Sequence, residues 1–318
     1  IIDSTGVATQ KEVVKEEKRL GVDNRPYGSF QEKMFGAAYK GTNYEWTPIG
    51  SFEDIDAASE QDFKDFYETF YVPNNATLTI AGDIDIKETK GFVEKYFSEI
   101  RRGTKEIPRP KIEAPDLGGE VREDVFDNVQ LPGVFQGYRI PPQGSDDYYA
   151  LQMLTTMLSG GQSSRFQKEI VDKQELGAAV LAFPFSLESG GVFITLGIAN
   201  VGKTPEELEE AMDAEVEKVK TELMGEREFQ KLQNQIENNF ISSNGTVQGI
   251  AQSLANYHVY FGDAELINSE IERYRKVTRE DIKKVANKYL TKDNRVVLYY
   301  LPKSAQQQPD SPTIEKGN

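Results

Sequence analysis

Two segments of this chain, 219 positions apart, share one pattern of residue types, and this internal repeat constrains the fold more than any other feature. The segments are 59–83, SEQDFKDFYETFYVPNNATLTIAGD, and 278–302, TREDIKKVANKYLTKDNRVVLYYLP. Each begins with a hydroxyl residue and has Asp three positions later, as in a helix capping box, followed by apolar residues at helical spacing. Each ends in an Asn-containing turn and a β-rich run, so the sequence predicts two homologous domains.

A linker is predicted between the two copies at 103–119. This stretch has three prolines and three glycines and no apolar period, which is typical of an exposed connection. We therefore expect residues 1–102 to be the C-terminal part of the first domain and residues 120–302 to be a complete second domain. The repeat offset puts about a hundred residues of the first copy outside this chain, so the first domain is expected to be incomplete. Residues 303–318 have little apolar content and predict a disordered tail.

The second domain shows strand patterns and helix patterns in separate runs. The strand patterns cover 120–130, 133–140, 177–189, 190–200 and 294–302. The helix patterns cover 145–159, 163–173, a helix opened by the Thr204 to Glu207 capping box, 226–242, 246–261 and 279–290. Helices packed on a mostly antiparallel sheet indicate the α+β class.

The composition excludes several classes of function. The formal charge of −15 argues against a nucleic-acid or anionic-membrane surface, and no apolar run approaches the roughly 20 residues that span a bilayer. The absence of cysteine excludes disulfides, thiolate catalysis and sulfur-ligated zinc. The single histidine, His258, excludes a site that needs two imidazoles from this chain, and we expect it to be a packing or surface residue. The first residue is Ile, which predicts a processed or truncated chain.

The run 10–28, QKEVVKEEKRLGVDNRPYG, has a helical pattern and carries two adjacent carboxylates, Glu16 and Glu17. Helical spacing places Glu17 in one arc with Val13 and Val14, whereas the lysines fall mostly elsewhere. A carboxylate that faces inward needs an ion partner or a metal, because burying an unpaired charge is costly. Both acids can instead pair with lysines or arginines on a wet surface, so periodicity alone leaves the two interpretations open.

Three motifs, in order along the chain, resemble those of the pitrilysin/insulinase-type zinc metallopeptidases, the inverzincins. TQKEVVKEEKRLGVDNRPYG at 9–28 is similar to the stretch that carries the family's third zinc ligand. FYVPNNATLTIAGDID at 70–85 resembles the next signature, and LSGGQSSRF at 158–166 resembles the signature of the homologous second domain. The resemblance covers essentially residues 8–302.

This resemblance implies a zinc metalloendopeptidase that hydrolyses peptides or unfolded segments through zinc-activated water. Glu17 matches the family's zinc-ligating glutamate. The H-x-x-E-H motif, which supplies two His ligands and a Glu general base in the family, has no counterpart in this chain. We therefore expect no catalytic residue here and an inactive fragment, with the motif on a preceding segment of the intact protein or on a separate chain.

The resemblance also implies a partner subunit. In self-sufficient relatives the helix after L-S-G-G carries an Arg and, seven residues later, a Tyr that hold the substrate backbone. Val171 and Ala178 occupy these positions here, and neither side chain donates a hydrogen bond. Arg165 and Lys168 come too early in the pattern to replace them. This departure matches the bacterial heterodimeric type, in which a zinc-holding subunit is completed by a homologous peptidase-like subunit that supplies Arg and Tyr.

Two other functions stay open. The chain can be a non-catalytic homologue that acts as a scaffold or partner subunit, like the mitochondrial respiratory core subunits that keep this fold without the metal. It can also bind peptides as an added strand at the sheet edge after 190–200, GGVFITLGIAN, which agrees with the family's substrate mode. An acidic, cysteine-free chain with upstream processing favours the bacterial periplasm or cell envelope.

Overall fold

The computed structural model describes residues 2–307, which form helices around one five-stranded sheet. The helices are α1 (Ser4–Lys18), α2 (Phe30–Ala38), α3 (Phe52–Ala57), α4 (Glu60–Phe70), α5 (Ile86–Phe97), α6 (Asp146–Ser159), α7 (Pro205–Thr221), α8 (Glu226–Ser243), α9 (Val247–Asn256), α10 (Glu270–Lys276) and α11 (Arg279–Tyr289). The strands are β1 (Val121–Asp127), β2 (Gly133–Ile140), β3 (Gly177–Leu187), β4 (Gly190–Ala199) and β5 (Arg295–Pro302). There are π-helical turns at Arg19–Asp23 after α1, at Gln167–Lys173 between α6 and β3, and at Tyr257–Phe261 after α9.

The sheet has the strand order β1-β5-β2-β4-β3. β1 runs parallel to β5, and the pairs β5/β2, β2/β4 and β4/β3 are antiparallel. All five strands lie within the segment predicted as the second domain, and each coincides with a predicted strand pattern to within a few residues. The α+β class with a mostly antiparallel sheet is therefore confirmed.

The two faces of this sheet are covered by helices from different parts of the chain. α6, α7 and α11 pack on one face, around a core that includes Leu154, Met212 and Ile282. α2 packs on the other face, where Met34 lies in one core with Phe135 and with other side chains of β4 and β5. α2 precedes the predicted linker, yet it completes a core of the five-stranded sheet, all of whose strands follow that linker. The domain division drawn from the sequence therefore stays a prediction.

The internal repeat reappears in the bounds of the elements. α4 at 60–70 and α11 at 279–289 are 219 positions apart, as are the 3₁₀ turns Pro73–Asn75 and Lys292–Asn294. Both helices begin with a complete capping box, formed by Ser59 with Asp62 and by Thr278 with Asp281. The copies agree in local structure because their capping and turn residues agree.

The β-rich run after the first turn is the exception to the repeat. Residues 76–81 were expected to form a strand like β5, but they are extended without any ladder partner in the part of the chain that the structure describes. β5 has β1 and β2 as neighbours, whereas no strand lies beside 76–81 within residues 2–307. The expectation of a strand is therefore wrong for residues 76–81 within the described part of the chain, since a strand exists only in a ladder.

The same region exposes an unusually apolar surface. Side chains of α4, of residues 76–86 and of α5 are between 37% and 67% exposed. A groove of about 500 Å³ runs between the extended segment and α5 and is lined mainly by Leu78, Ile80, Ile84 and Ile86. Apolar patches of this kind on proteins usually mark a contact surface. The exposed members are Phe63, Phe66, Tyr67, Leu78, Ile80, Ile84, Ile86, Phe92, Tyr96 and Phe97.

Three smaller features differ from the sequence prediction or lie beyond it. α10 and the 3₁₀ turn Ala264–Asn268 were not predicted, because their apolar residues are too few for a clear period. Residues Lys303–Gln307 of the predicted disordered tail form a 3₁₀ turn, and the rest of that tail and Ile1 lie outside the described residues. Within residues 2–307, no helix combines the length and apolar character needed to cross a bilayer.

A buried ion network holds α7 against the sheet. Arg295 on β5 is 2% exposed, and its guanidinium donates to both carboxylate oxygens of Asp213 at 2.8 and 3.0 Å and to Glu209 at 3.0 Å. Its Nε pairs with Glu120. Gln136 on β2 donates to Asp213 at 2.8 Å, so the acids have several donors each. A buried cation in such a network is costly to remove, because the acids that remain lose their partner.

Arg295→Met is expected to lower the free energy of unfolding of the 1–318 chain by about 3 kcal/mol, because half-buried Asp213 loses its cation and buried Glu209 keeps only the Arg122 cation. Urea denaturation followed by circular dichroism measures this change. Arg275→Met is the matched control, since the Arg275 guanidinium pairs with Glu237 and Glu272 on the surface, and it is expected to have a much smaller effect. Equal losses in the two variants would contradict the role given to Arg295.

Met34→Ala is expected to destabilise the second domain by about 2–5 kcal/mol, because it opens a cavity between α2 and the sheet. Met34 is fully buried and fills the space left by Gly137 on β2, where a Cβ would clash with the Met34 sulfur. The same urea measurement applies, with Leu223→Ala as control because Leu223 is 43% exposed. Unchanged stability of Met34→Ala would show that α2 is not part of the second folding unit.

Candidate functional site

The helix α1 carries the candidate metal ligand, and its lysines determine how the helix lies. Lys11 donates to the backbone oxygen of Asp56 at 3.0 Å, and Lys15 donates to the Asp56 carboxylate at 2.8 Å. Asp56 belongs to α3, the neighbour against which α1 packs. The lysine side of α1 is thus its packed side, and the opposite side of the helix is left open.

Lys18, the residue after Glu17, anchors the end of α1. It is 5% exposed, and its ammonium donates to Glu32 on α2 at 3.0 Å and to Asp23 at 3.3 Å. Burial by itself would lower the pKa of Lys18, but Glu32 and Asp23 outweigh it and raise the pKa above its usual range. The burial of Lys18 was not predicted from the sequence. Its only signal is an acid five positions later, a spacing that becomes a contact in the π-helical turn Arg19–Asp23.

Glu17 is exposed on the open side of α1. Val13 and Leu20, which share this side at helical spacing, are 43% and 64% exposed. Glu16 pairs with Arg19 at 3.1 Å, whereas Glu17 has no ion pair or hydrogen bond among residues 2–307. Of the two interpretations that periodicity left open, the inward-facing one does not hold among residues 2–307, and the role of Glu17 as a metal ligand stays a prediction. In the surface interpretation both acids pair with cations, and among residues 2–307 this holds for Glu16 but not for Glu17.

The donor set around Glu17 does not make a zinc site by itself. Zinc in proteins is held by at least three side-chain ligands. Within residues 2–307, no three His, Asp or Glu side chains are grouped closely enough to hold a metal ion. Among residues 2–307, the carboxylate of Glu17 has no ion pair or side-chain hydrogen bond, and it lies between the exposed side chains of Val13 and Leu20. This chain therefore fits the contribution of one ligand and no more.

Val171 and Ala178 lie on two different elements. Val171 is on the π-helical turn Gln167–Lys173 and packs against the core of the second domain, whereas Ala178 is exposed on β3. The family's Arg and Tyr positions were expected on one helix, and here that helix ends before the second of them. Arg165 forms a two-pronged bond with Glu228, at 2.9 Å for both contacts, so its guanidinium is engaged.

The sheet edge expected to bind peptides is not available at β4, because β2 and β3 flank it on both sides. β3 is the edge strand on this side of the sheet. Ser159 from the L-S-G-G motif covers part of that edge, since its hydroxyl donates to the carbonyl of Ala182 at 2.8 Å and accepts its N–H at 2.9 Å. Two positions further along the same side, Pro184 has no N–H to offer. The outer side of β3 is therefore partly blocked for strand addition.

His258 lies on the π-helical turn Tyr257–Phe261 and is exposed. Within residues 2–307, it belongs to no group of three or more His, Asp or Glu side chains that could hold a metal ion. A packing or surface histidine was expected at this position, and the structure has it on the surface.

Comparison with known proteins gives the chain a family. A family model described as "Peptidase M16 inactive domain" matches residues 57–236, more than half of the chain. The zinc protease PqqE of Helicobacter pylori is 29% identical over 295 residues, which are 92% of this chain and 66% of that protein. An uncharacterized zinc protease of Rickettsia felis is 24% identical, with 89% of this chain and 67% of that protein covered. The chain thus spans about two thirds of the length of these curated relatives.

A solved structure agrees with this result. The crystal structure of a protease from Helicobacter pylori superimposes with a TM-score of 0.90 at 28% identity, covering 95% of this chain and 73% of that one. The resemblance noted from the three motifs is confirmed by the family model and by this structure. The chain belongs to the M16 peptidase family, whose inactive domain it contains.

Proposed function

We propose that this chain is the C-terminal portion of a zinc metalloendopeptidase subunit, and that Glu17 supplies one ligand of its metal. The observation that carries the proposal is the Glu17 carboxylate, which has no partner among residues 2–307 and lies on the open side of α1 between the exposed side chains of Val13 and Leu20. An exposed carboxylate between two exposed apolar side chains suits a surface that another part of the protein covers, provided that the covering part brings a cation. The similarity to proteins named zinc proteases supports the same function.

The remaining ligands and the general base are proposed to come from outside these 318 residues. The exposed apolar side chains of α4, of residues 76–86 and of α5 support a covering segment, because many large apolar residues are exposed together there. Residues 76–81 likewise have the sequence of a strand that lacks its neighbours. Since one carboxylate is a poor zinc site, we expect the chain alone to retain no zinc and to cleave no peptide.

A homologous partner subunit is proposed to supply the Arg and Tyr that are missing at Val171 and Ala178. Neither position can donate a hydrogen bond, and Arg165 is engaged by Glu228. Loss of a donor of this kind typically costs about 100- to 1,000-fold in turnover, so an active assembly needs another source. In this arrangement the two domains form one wall of a chamber that the partner closes around a peptide.

The second candidate is a non-catalytic scaffold or partner subunit. The observation in its favour is the same pair, Val171 and Ala178, together with the lack of any grouped metal ligands within residues 2–307. The residues encoded ahead of Ile1 discriminate the two functions, because an H-x-x-E-H motif there favours the enzyme and degenerate positions favour the scaffold. A location in the periplasm or cell envelope stays a prediction, which cell fractionation tests.

Glu17→Gln in the full-length gene product is expected to reduce zinc affinity by at least about tenfold, because loss of a ligand costs no less than loss of an outer partner, about 10- to 100-fold. Elemental analysis after dialysis against a weak chelator measures the zinc that is retained. Gln keeps the size of the side chain and removes its charge, and Glu17 has no partners to lose within the described chain.

Glu16→Gln is the matched control. Glu16 is adjacent and exposed, but it already pairs with Arg19, so its loss is expected to leave the zinc content unchanged. Full zinc retention in Glu17→Gln would remove Glu17 from the site. Equal zinc loss in both variants would show that the helix as a whole, and not the Glu17 carboxylate, matters for the metal.

A further inference from the structure

A buried carboxyl group joins the two ends of the segment 257–270. Glu270, the first residue of α10, is 8% exposed, and Tyr257, the first residue of the π-helical turn after α9, is 5% exposed. The Tyr257 hydroxyl donates a hydrogen bond to Glu270 Oε2. This bond holds α10 against the end of α9, and so it closes the loop that contains the 3₁₀ turn Ala264–Asn268.

Aromatic rings surround the carboxyl group. We call Tyr148, Tyr149, Tyr257 and Tyr274 the tyrosine cluster. The rings of Tyr149 on α6 and Tyr274 on α10 meet edge to face, with centroids 4.9 Å apart and an interplanar angle of 90°. Tyr148 and Tyr149 form a second such contact at 5.2 Å. The cluster thus attaches α10 to α6 and keeps water away from Glu270.

The charged groups of the neighbouring helices do not neutralise Glu270. Arg273, the nearest cation, donates to the Tyr149 hydroxyl at 3.2 Å and forms no ion pair with Glu270 within residues 2–307. On α8, which packs on α10, Glu237 pairs with Arg275. On the 3₁₀ turn Ala264–Asn268, Glu265 accepts a bond from its own turn, from Asn268 at 3.0 Å. Glu270 therefore faces hydroxyl groups and rings.

An isolated carboxyl group in such surroundings favours its neutral form. Burial raises the pKa of Glu270 from its ordinary value of 4.5 to about 7, and Arg273 opposes this only in part. The neutral form of the carboxyl group therefore persists up to physiological pH, where an exposed glutamate is fully ionised.

We propose that the segment closed by the Tyr257–Glu270 contact is a pH-sensitive latch: it is closed while the Glu270 carboxyl is protonated, and it opens locally on ionisation because burying the charge costs more than the strengthened hydrogen bond from Tyr257 offsets. The closed state binds the proton more tightly than the open state, in which Glu270 meets water. Opening is therefore least favourable below pH 4.5 and becomes easier as the pH rises through 7. The segment that opens contains α10, the π-helical turn and the 3₁₀ turn between them, and it exposes the tyrosine cluster.

Amide hydrogen exchange of the 1–318 chain tests the latch at pH 6 and pH 8, with rates corrected for intrinsic exchange. Glu270→Gln mimics the neutral carboxyl group. Between pH 6 and pH 8, the protection factor of peptides that cover 257–276 is expected to fall about tenfold more in the wild type than in Glu270→Gln. Peptides from β2 and β4 are expected to show no such difference. An identical pH response of wild type and Glu270→Gln in 257–276 would overturn the proposal.

Glu272→Gln is the matched control, because Glu272 lies two residues away on the same helix and pairs with Arg275 on the surface. It is expected to respond to pH like the wild type. If Glu270→Gln does not fold, the wild type alone decides through the ¹³C chemical shift of the Glu270 carboxyl. A titration midpoint near 7 supports the latch, and a midpoint between about 4 and 5 overturns it.

Discussion

The constraint on which this structure depends is that a five-stranded sheet with two apolar faces must be covered on both of them. α6, α7 and α11 cover one face, and α2 covers the other with Met34 placed against the gap at Gly137. The Arg295 network then fixes α7 on the sheet through Asp213 and Glu209. Because α2 precedes the predicted linker, the segments before and after residues 103–119 share one core.

This shared core also determines where the candidate ligand lies. Lys18 links the end of α1 to α2 through Glu32, and α2 packs on the five-stranded sheet. The side of α1 that carries Glu17 therefore has a definite direction relative to that sheet. The π-helical turn after Lys18 contributes by bringing Asp23 to the same ammonium. The proposed ligand, Glu17, thus lies on a helix whose end is fixed to α2 through Lys18.

The two copies of the repeat show how context decides structure. The two copies agree in the positions of their capping boxes, their helices (α4 and α11) and the turns before residues 76 and 295. Short-range interactions produce these elements, so they form in both copies. The runs that follow differ, because β5 finds two neighbouring strands and residues 76–81 find none within the described chain. The same principle explains why β4 does not offer the expected edge for peptide binding, since β3 pairs with it. The residue pattern of one strand does not encode the order of the strands in the sheet.

The sequence by itself determined the α+β class, the five strands, most helices, the family resemblance and Glu17 as the residue to test, because caps, turns and hydrophobic periods are local signals. Only the tertiary structure decided that Glu17 is exposed and that its neighbour Lys18 is buried. It also decided that α2 covers one face of the five-stranded sheet and that Val171 and Ala178 lie on separate elements. Glu270 belongs to the same group, since its burial arises from α6, α9 and α10 together. Burial depends on which distant elements meet, and no local pattern encodes that.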